Sequence, residues 1–143
     1  MADSIPRSNP PVESQSREVT ILLVEDHEIV RKGLHGLIDG HSGWKVCGEA
    51  VSGNEAIEKT LALDPDVVAI DISMPGMDGI EATKRIRRLC PRTKVVIVSM
   101  YDSQQRLAEK AGADAYVAKS RTWQDLCNAI SEVLQNRSGS SER

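Results

Sequence analysis

The sequence predicts an α/β protein built on a parallel sheet, and three observations carry that prediction. Val19–Val24 (VTILLV), Val67–Ile70 (VVAI) and Lys94–Val98 (KVVIV) are continuous runs rich in β-branched residues. Uninterrupted apolar strands are those covered on both faces, as the strands of parallel sheets are. Segments with helical apolar spacing lie between these runs, and such alternation places helices on both faces through right-handed crossovers. The polar residues that end the strands then collect along one edge of the sheet, where open α/β sheets build their sites.

In chain order, residues 1–18 hold three of the six prolines and little to bury, which predicts a disordered N-terminal tail. The first strand, Val19–Val24, runs into Glu25 and Asp26. A helix follows with Val30, Leu34, Leu37 and Ile38 on its expected buried face, closed by Gly40 and Gly43. Lys45–Glu49 is a weaker strand, expected near an edge of the sheet. Ser52 and Glu55 have the spacing of a capping box, and the helix they open ends before Pro65. The third strand ends in Asp71, and Pro75 to Gly79 (PGMDG) impose loop conformations before the next helix starts around Gly79. That helix sets Ala82, Ile86, Leu89 and Cys90 on one face and Lys84, Arg85, Arg87 and Arg88 on the other, a pattern that usually means a solvated face. The fourth strand ends in Ser99, a short helix covers 103–111, and a minimal fifth strand at Ala115–Val117 leads to Lys119. The last helix takes Thr122 as its N-cap and carries Trp123, Leu126, Cys127, Ile130, Val133 and Leu134 on one stripe. Residues 136–143 read as a polar C-terminal tail or the start of a linker, leaving 19–135 as the folded domain.

Composition limits the function classes. A chain of 143 residues with 40% hydrophobic content suits a single domain with a real core. The formal charge of −3 and the dispersed basic residues give no footprint for nucleic acid or anionic membrane. No apolar run approaches the roughly 20 residues that span a bilayer. Cys47, Cys90 and Cys127 are odd in number and lie in apolar-periodic segments, so they read as buried free thiols of a cytoplasmic protein. His27, His35 and His41 lie on or beside the first helix and read as exposed or capping imidazoles.

The strand ends bring together Glu25, Asp26, Asp71, Ser99 and Lys119. Three crowded carboxylates repel unless a cation joins them, and few carboxylates with room for water suit Mg²⁺. Lys119 adds a compact positive charge and Ser99 a hydroxyl donor. A metal ion, an ammonium and a hydroxyl around one acid fit a phosphoryl group, with Asp71 as the nucleophile that forms an acyl phosphate. No Gly-rich turn follows the first strand, which excludes a dinucleotide fingerprint and a P-loop. A phosphatase of the haloacid dehalogenase type also places its nucleophile after an apolar strand. It needs a second aspartate two residues on, where this chain has Ser73.

Taken together, Glu25-Asp26, Asp71 followed by Met74-Pro75-Gly76-Met77-Asp78-Gly79, Ser99, Ala111-Gly112-Ala113, and Tyr116 before Lys119 resemble a bacterial response regulator receiver domain. The resemblance runs from about Val19 to Leu134. Arg31-Lys32-Gly33-Leu34 and Ser99-Met100-Tyr101-Asp102 look most similar to its NarL/FixJ-type subgroup. It implies a flavodoxin-like (βα)5 doubly wound fold with strand order 2-1-3-4-5. It further implies that Glu25, Asp26, Asp71 and the Ser73 backbone carbonyl hold Mg²⁺. Asp71 would accept a phosphoryl group from a sensor histidine kinase or phosphotransfer protein, Lys119 would pair with it, and Ser99 and Tyr116 would act as the switch. Tyr101 would shield the phosphoryl group from water.

The protein would then be a signalling switch in a phosphorelay and not an enzyme with a separate substrate. Homodimerisation on phosphorylation is a further implication. DNA would be reached only through a C-terminal output domain that this chain does not include, and no membrane is involved. Three departures stand out: Glu25 in place of an aspartate, Ser120 in place of a common proline, and a shorter segment between Ser99 and Gly112. Glu25 and the short segment motivate the alternative, a receiver-like interaction module that does not cycle phosphate.

Overall fold

A computed structural model describes residues 17–74, 76–99, 104–118 and 123–140, with side chains in the last helix from 124 to 135. Five strands and five helices alternate: β1 (Val19–Val24), α1 (Glu28–Asp39), β2 (Trp44–Ala50), α2 (Gly53–Leu63), β3 (Val67–Asp71), α3 (Gly79–Leu89), β4 (Lys94–Ser99), α4 (Gln105–Ala111), β5 (Ala115–Ala118) and α5 (Trp123–Ser140). All four strand pairings are parallel and the order is β2-β1-β3-β4-β5, the flavodoxin-like arrangement. β2 is an edge strand, as its weaker apolar pattern predicts.

Period-two alternation explains why the central strands are apolar throughout. Ile21, Leu23, Val67, Ala69, Val96 and Val98 point to one face, where Ile38 of α1 and Ile130 and Val133 of α5 cover them. Leu22, Val24, Val68, Ile70, Val95 and Ile97 point to the other, against Ala56, Ala82, Ile86 and Ala108 of α2, α3 and α4. Each such aliphatic side chain withdrawn from water contributes roughly 1.5–3 kcal/mol, and the residues 67–70 of β3 each serve one core or the other, while Asp71, also buried, ends the strand.

The helix ends follow from local chemistry. Ser52 Oγ accepts from the Glu55 amide at 3.1 Å, and Glu55 reaches back to the Val51 amide at 2.7 Å, one residue earlier than the usual reciprocal partner. Asp78 caps α3 by accepting from the Glu81 amide at 2.9 Å. α4 is only 7 residues long, consistent with the short segment after Ser99. Its expected start at Ser103, the expected N-cap Thr122 and the tail over 1–16 lie outside the described residues. α5 continues through Ser140, into the segment expected as a polar tail, because nothing from Asn136 to Ser140 forbids helical geometry except the modest cost of Gly139.

Three expected core positions are corrected. Val30 and Leu37 of α1 are 39% and 47% exposed, and Ile38 is the helix's one buried residue. α1 lies over β1 and the edge strand β2, so its buried stripe is narrower than the apolar spacing predicts. Arg31 and His35 fill its half-buried flank instead. Leu89, at the last turn of α3, is likewise 51% exposed. Of the cysteines, which are all free, Cys127 is buried while Cys47 and Cys90 are half-buried, and burial pushes all three thiols up from their ordinary pKa. Cys47 is the residue skipped where the β1–β2 register shifts after Ile21–Val46.

Candidate functional site

Parallel register brings the predicted residues to one edge. Val24 pairs with Ile70, so Glu25 stands one step beyond β1 beside Asp71, the last residue of β3. Asp71 pairs with Val98 of β4, and Ser99 follows. Glu25, Asp71 and Ser99 are 1%, 3% and 1% exposed. Asp26 begins the turn into α1, its side chain 24% exposed. One ligand atom each from Glu25, Asp26, His27 and Asp71 lies within 4.8 Å of the others. Carboxylates gathered this closely repel strongly in a buried setting.

The turn after β1 is organised by His27. Its backbone N–H donates to Glu25 Oε2 at 3.1 Å, and its Nδ1 lies 3.1 Å from the same oxygen and 3.3 Å from Asp26 Oδ1. The ring itself is 68% exposed. His27 is therefore exposed and stands at the N-cap position of α1, as expected, but it also touches the acid pair, which its place next in sequence could have signalled. Glu25 is fixed through its backbone: its N–H donates to Ala50 O at 3.0 Å, and its carbonyl accepts from Arg31 Nη1 at 3.0 Å.

The loop after β3 is held against the strand end. Ser73 N–H donates to Asp71 Oδ1 at 3.3 Å, and Gly79 N–H donates to Ile72 O at 2.9 Å. Buried Met74 anchors the loop to the core. Gly79 is required there: a Cβ on it would sit 2.3 Å from Asp71 O and 2.9 Å from Ile72 Cα. Gly53 of α2 gives similar room to Met77, whose carbonyl would lie 2.8 Å from an added Cβ.

Ile97 pairs with Tyr116 and Ser99 with Ala118, so Ser99 and Tyr116 lie on the same face of adjacent strands, one diagonal step apart. Tyr116 is half-buried against the core of that face and borders a cleft of about 380 Å³ shared with Gln105, Asp125, Asn128 and Glu132. Lys119, Ser120 and Tyr101 lie outside the described residues.

A hard divalent cation fits the acid cluster. Its donors are carboxylate oxygens, and among the described residues the buried Asp26 Oδ1 has no hydrogen bond beyond the ion-pair contact with His27 Nδ1 at 3.3 Å. Three residues that flank the cluster were not singled out as functional from the sequence. Arg31 Nε donates to Glu49 Oε1 at 2.8 Å, and His35 Nδ1 bonds the other Glu49 oxygen. Burial disfavours the charge on Glu49, but these two partners outweigh it and hold its carboxyl below the usual range. The contribution of these contacts to stability is therefore full above the ordinary carboxylate pKa and is lost as pH falls below it. His35 is thus no simple exposed imidazole; its Nε2 also lies 3.1 Å from Asp39. His41 stacks on Trp44 with ring centroids 3.6 Å apart.

Comparison with known proteins agrees with this geometry. Residues 21–131 match the family model described as the response regulator receiver domain. The response regulator protein VraR of Staphylococcus saprophyticus is 37% identical over 122 residues, 84% of this chain and 58% of that protein. Its counterpart in Staphylococcus aureus is 35% identical over the same length. The chain thus spans a little over half the length of these curated relatives. Among solved structures, a LuxR-family two-component response regulator from Aurantimonas superposes with a TM-score of 0.81 at 37% identity, covering 84% of this chain and 87% of that one. The receiver domain of the response regulator NarL from Mycobacterium tuberculosis gives 0.76 at 29%, covering 86% and 98%. Among the described residues no helix is long and apolar enough to cross a membrane. The fold, the acid cluster at its carboxyl edge and these likenesses lead to one assignment: the chain belongs to the response regulator receiver domain family, the signalling-switch module of two-component systems.

Proposed function

We propose that Asp71 accepts a phosphoryl group from a phosphohistidine on a sensor histidine kinase or phosphotransfer protein. The observation that carries this reading is the buried Asp71 carboxylate gathered with Glu25 and Asp26 within 4.8 Å at the sheet's carboxyl edge. An Asp71 oxygen attacks phosphorus, the P–N bond to the donor histidine breaks, and its electron pair returns to the imidazole. The product is an acyl phosphate. The Ser73 amide, bonded to Asp71 Oδ1, orients the nucleophile for this attack.

Glu25, Asp26, Asp71 and the Ser73 carbonyl are the proposed Mg²⁺ ligands. When bound, Mg²⁺ supplies charge neutralisation for the transferred group. Lys119 follows β5 directly and is proposed to pair with the phosphoryl oxygens. Ser99 donates its hydroxyl to them, and Tyr116, on the same face one step away, follows that movement inward. The cleft beside Tyr116 lies where such a movement changes the surface of α4, β5 and α5. Dimerisation on phosphorylation and control of DNA through a separate output domain are proposed from the family likeness.

Incubation with Mg²⁺ and acetyl phosphate, followed by intact-mass measurement, tests the proposal. The expected result is a single phosphate adduct on the wild type that is absent in Asp71→Ala and in chelator. A wild type with no adduct and no Mg²⁺ binding would instead support the interaction module that does not cycle phosphate.

A further inference from the structure

We propose that Arg31 is a positioning residue for the acid pair, clamping the β1–α1 turn so that Glu25 and Asp26 face Asp71. This inference rests on the phosphoacceptor reading above and assigns one more residue to the same site. Arg31 lies on α1 with its side chain 14% exposed. It touches no carboxylate of the cluster. Its Nη1 holds the Glu25 carbonyl at 3.0 Å, while its Nε holds the Glu49 carboxylate at 2.8 Å.

The anchor for that clamp is β2. The Glu25 amide bonds Ala50 O directly, and Arg31 ties the Glu25 carbonyl to Glu49, the preceding residue of the same strand. The Glu25 residue is thus gripped on both sides from one strand end, and its nearly inaccessible carboxylate has little freedom to turn away. Glu49 is itself immobilised. His35 bonds its second oxygen, Lys59 Nζ bonds its backbone carbonyl, and Asp39 holds His35 at 3.1 Å while accepting from the Val46 amide at 2.8 Å. The chain of contacts closes from β2 through α1 to the acid pair and back to β2. A planar guanidinium is suited to this, because it holds two acceptors in fixed directions where an ammonium holds them loosely.

The sign of the effect separates positioning from electrostatics. Arg31 is a positive charge near a cation site, so its removal by charge alone would tighten Mg²⁺ binding. Loss of positioning weakens it, and partners that orient metal ligands are typically worth about ten- to a hundredfold in affinity. The test is Mg²⁺ titration by calorimetry on the full chain, together with phosphorylation by acetyl phosphate across a range of Mg²⁺ concentrations.

Arg31→Met is expected to weaken Mg²⁺ binding roughly tenfold, to raise the half-saturating Mg²⁺ concentration in proportion, and to keep a near wild-type rate at saturation. Glu49→Ala removes the anchor together with a negative charge, and is expected to weaken binding well beyond Glu49→Gln, which removes the same charge; that difference carries the test if Arg31→Met does not fold. Glu49→Gln keeps an acceptor for Arg31 and is expected to stay close to wild type. Unchanged or tighter Mg²⁺ binding in folded Arg31→Met or Glu49→Ala, with the wild type binding normally, would overturn the proposal. A wild type that neither binds Mg²⁺ nor takes up phosphate would overturn the phosphoacceptor reading itself, and this inference with it.

Discussion

Gly79→Ala is expected to destabilise the protein by about 3 kcal/mol, at the upper end of what forced overpacking costs. The added Cβ would meet Asp71 O at 2.3 Å, Ile72 Cα at 2.9 Å and the Asp71 carbonyl carbon at 3.0 Å. All three are backbone atoms of β3 and the residue after it, so no side-chain rotation relieves the clash. Either α3 retreats from the strand end or the Asp71–Ser73 turn opens. Both disturb the hydrogen bond from Ser73 to Asp71 and the one from Gly79 to Ile72.

Gly33 and Gly36 in α1 provide the internal contrast, since an added Cβ meets nothing within 4 Å at either. Alanine at those positions is expected to stabilise by up to about 1 kcal/mol each through helix propensity. Urea denaturation of the three variants gives the comparison. A Gly79→Ala variant as stable as the wild type would contradict the close approach of α3 to β3.

Asp71→Asn is expected to stabilise the protein in chelator, by about 1–2 kcal/mol, and to abolish its stabilisation by Mg²⁺. Charges of like sign some 5 Å apart repel by about 3 kcal/mol at an effective dielectric near 20, and relaxation leaves only part of that to recover. Asparagine keeps the shape and the oxygen that accepts from Ser73 while removing the charge. In the wild type, Mg²⁺ at about a hundred times its dissociation constant is expected to add roughly 2.7 kcal/mol. Denaturation in chelator and in Mg²⁺ checks both halves. An asparagine variant that is less stable in chelator and gains as much from Mg²⁺ as the wild type would place the cation elsewhere.

The central strands were legible because burial on both faces writes itself as an unbroken apolar run. β1 and β3 therefore begin where the sequence places them. The acid cluster was legible for a related reason: parallel strands all end at one edge, so the residues after them must meet. The width of a helix's buried face is not written in its period. Val30 and Leu37 fit the spacing, yet lie beyond the cover that β1 and the edge strand β2 provide. The contacts of Arg31 and His35 with Glu49 depend on where β2 ends against α1, after a register shift at Cys47 that no local signal announces.

The most direct test of Asp71 as the phosphoacceptor is chemical identification of the phosphorylated side chain. After treatment with acetyl phosphate and Mg²⁺, borohydride reduction converts an aspartyl acyl phosphate to homoserine, which peptide mass spectrometry locates. Homoserine is expected at position 71, with none at Asp26 or Asp78 and no 5-hydroxynorvaline, the corresponding product from glutamate, at Glu25. Modification at another carboxylate, or an adduct that survives in Asp71→Ala, would contradict it.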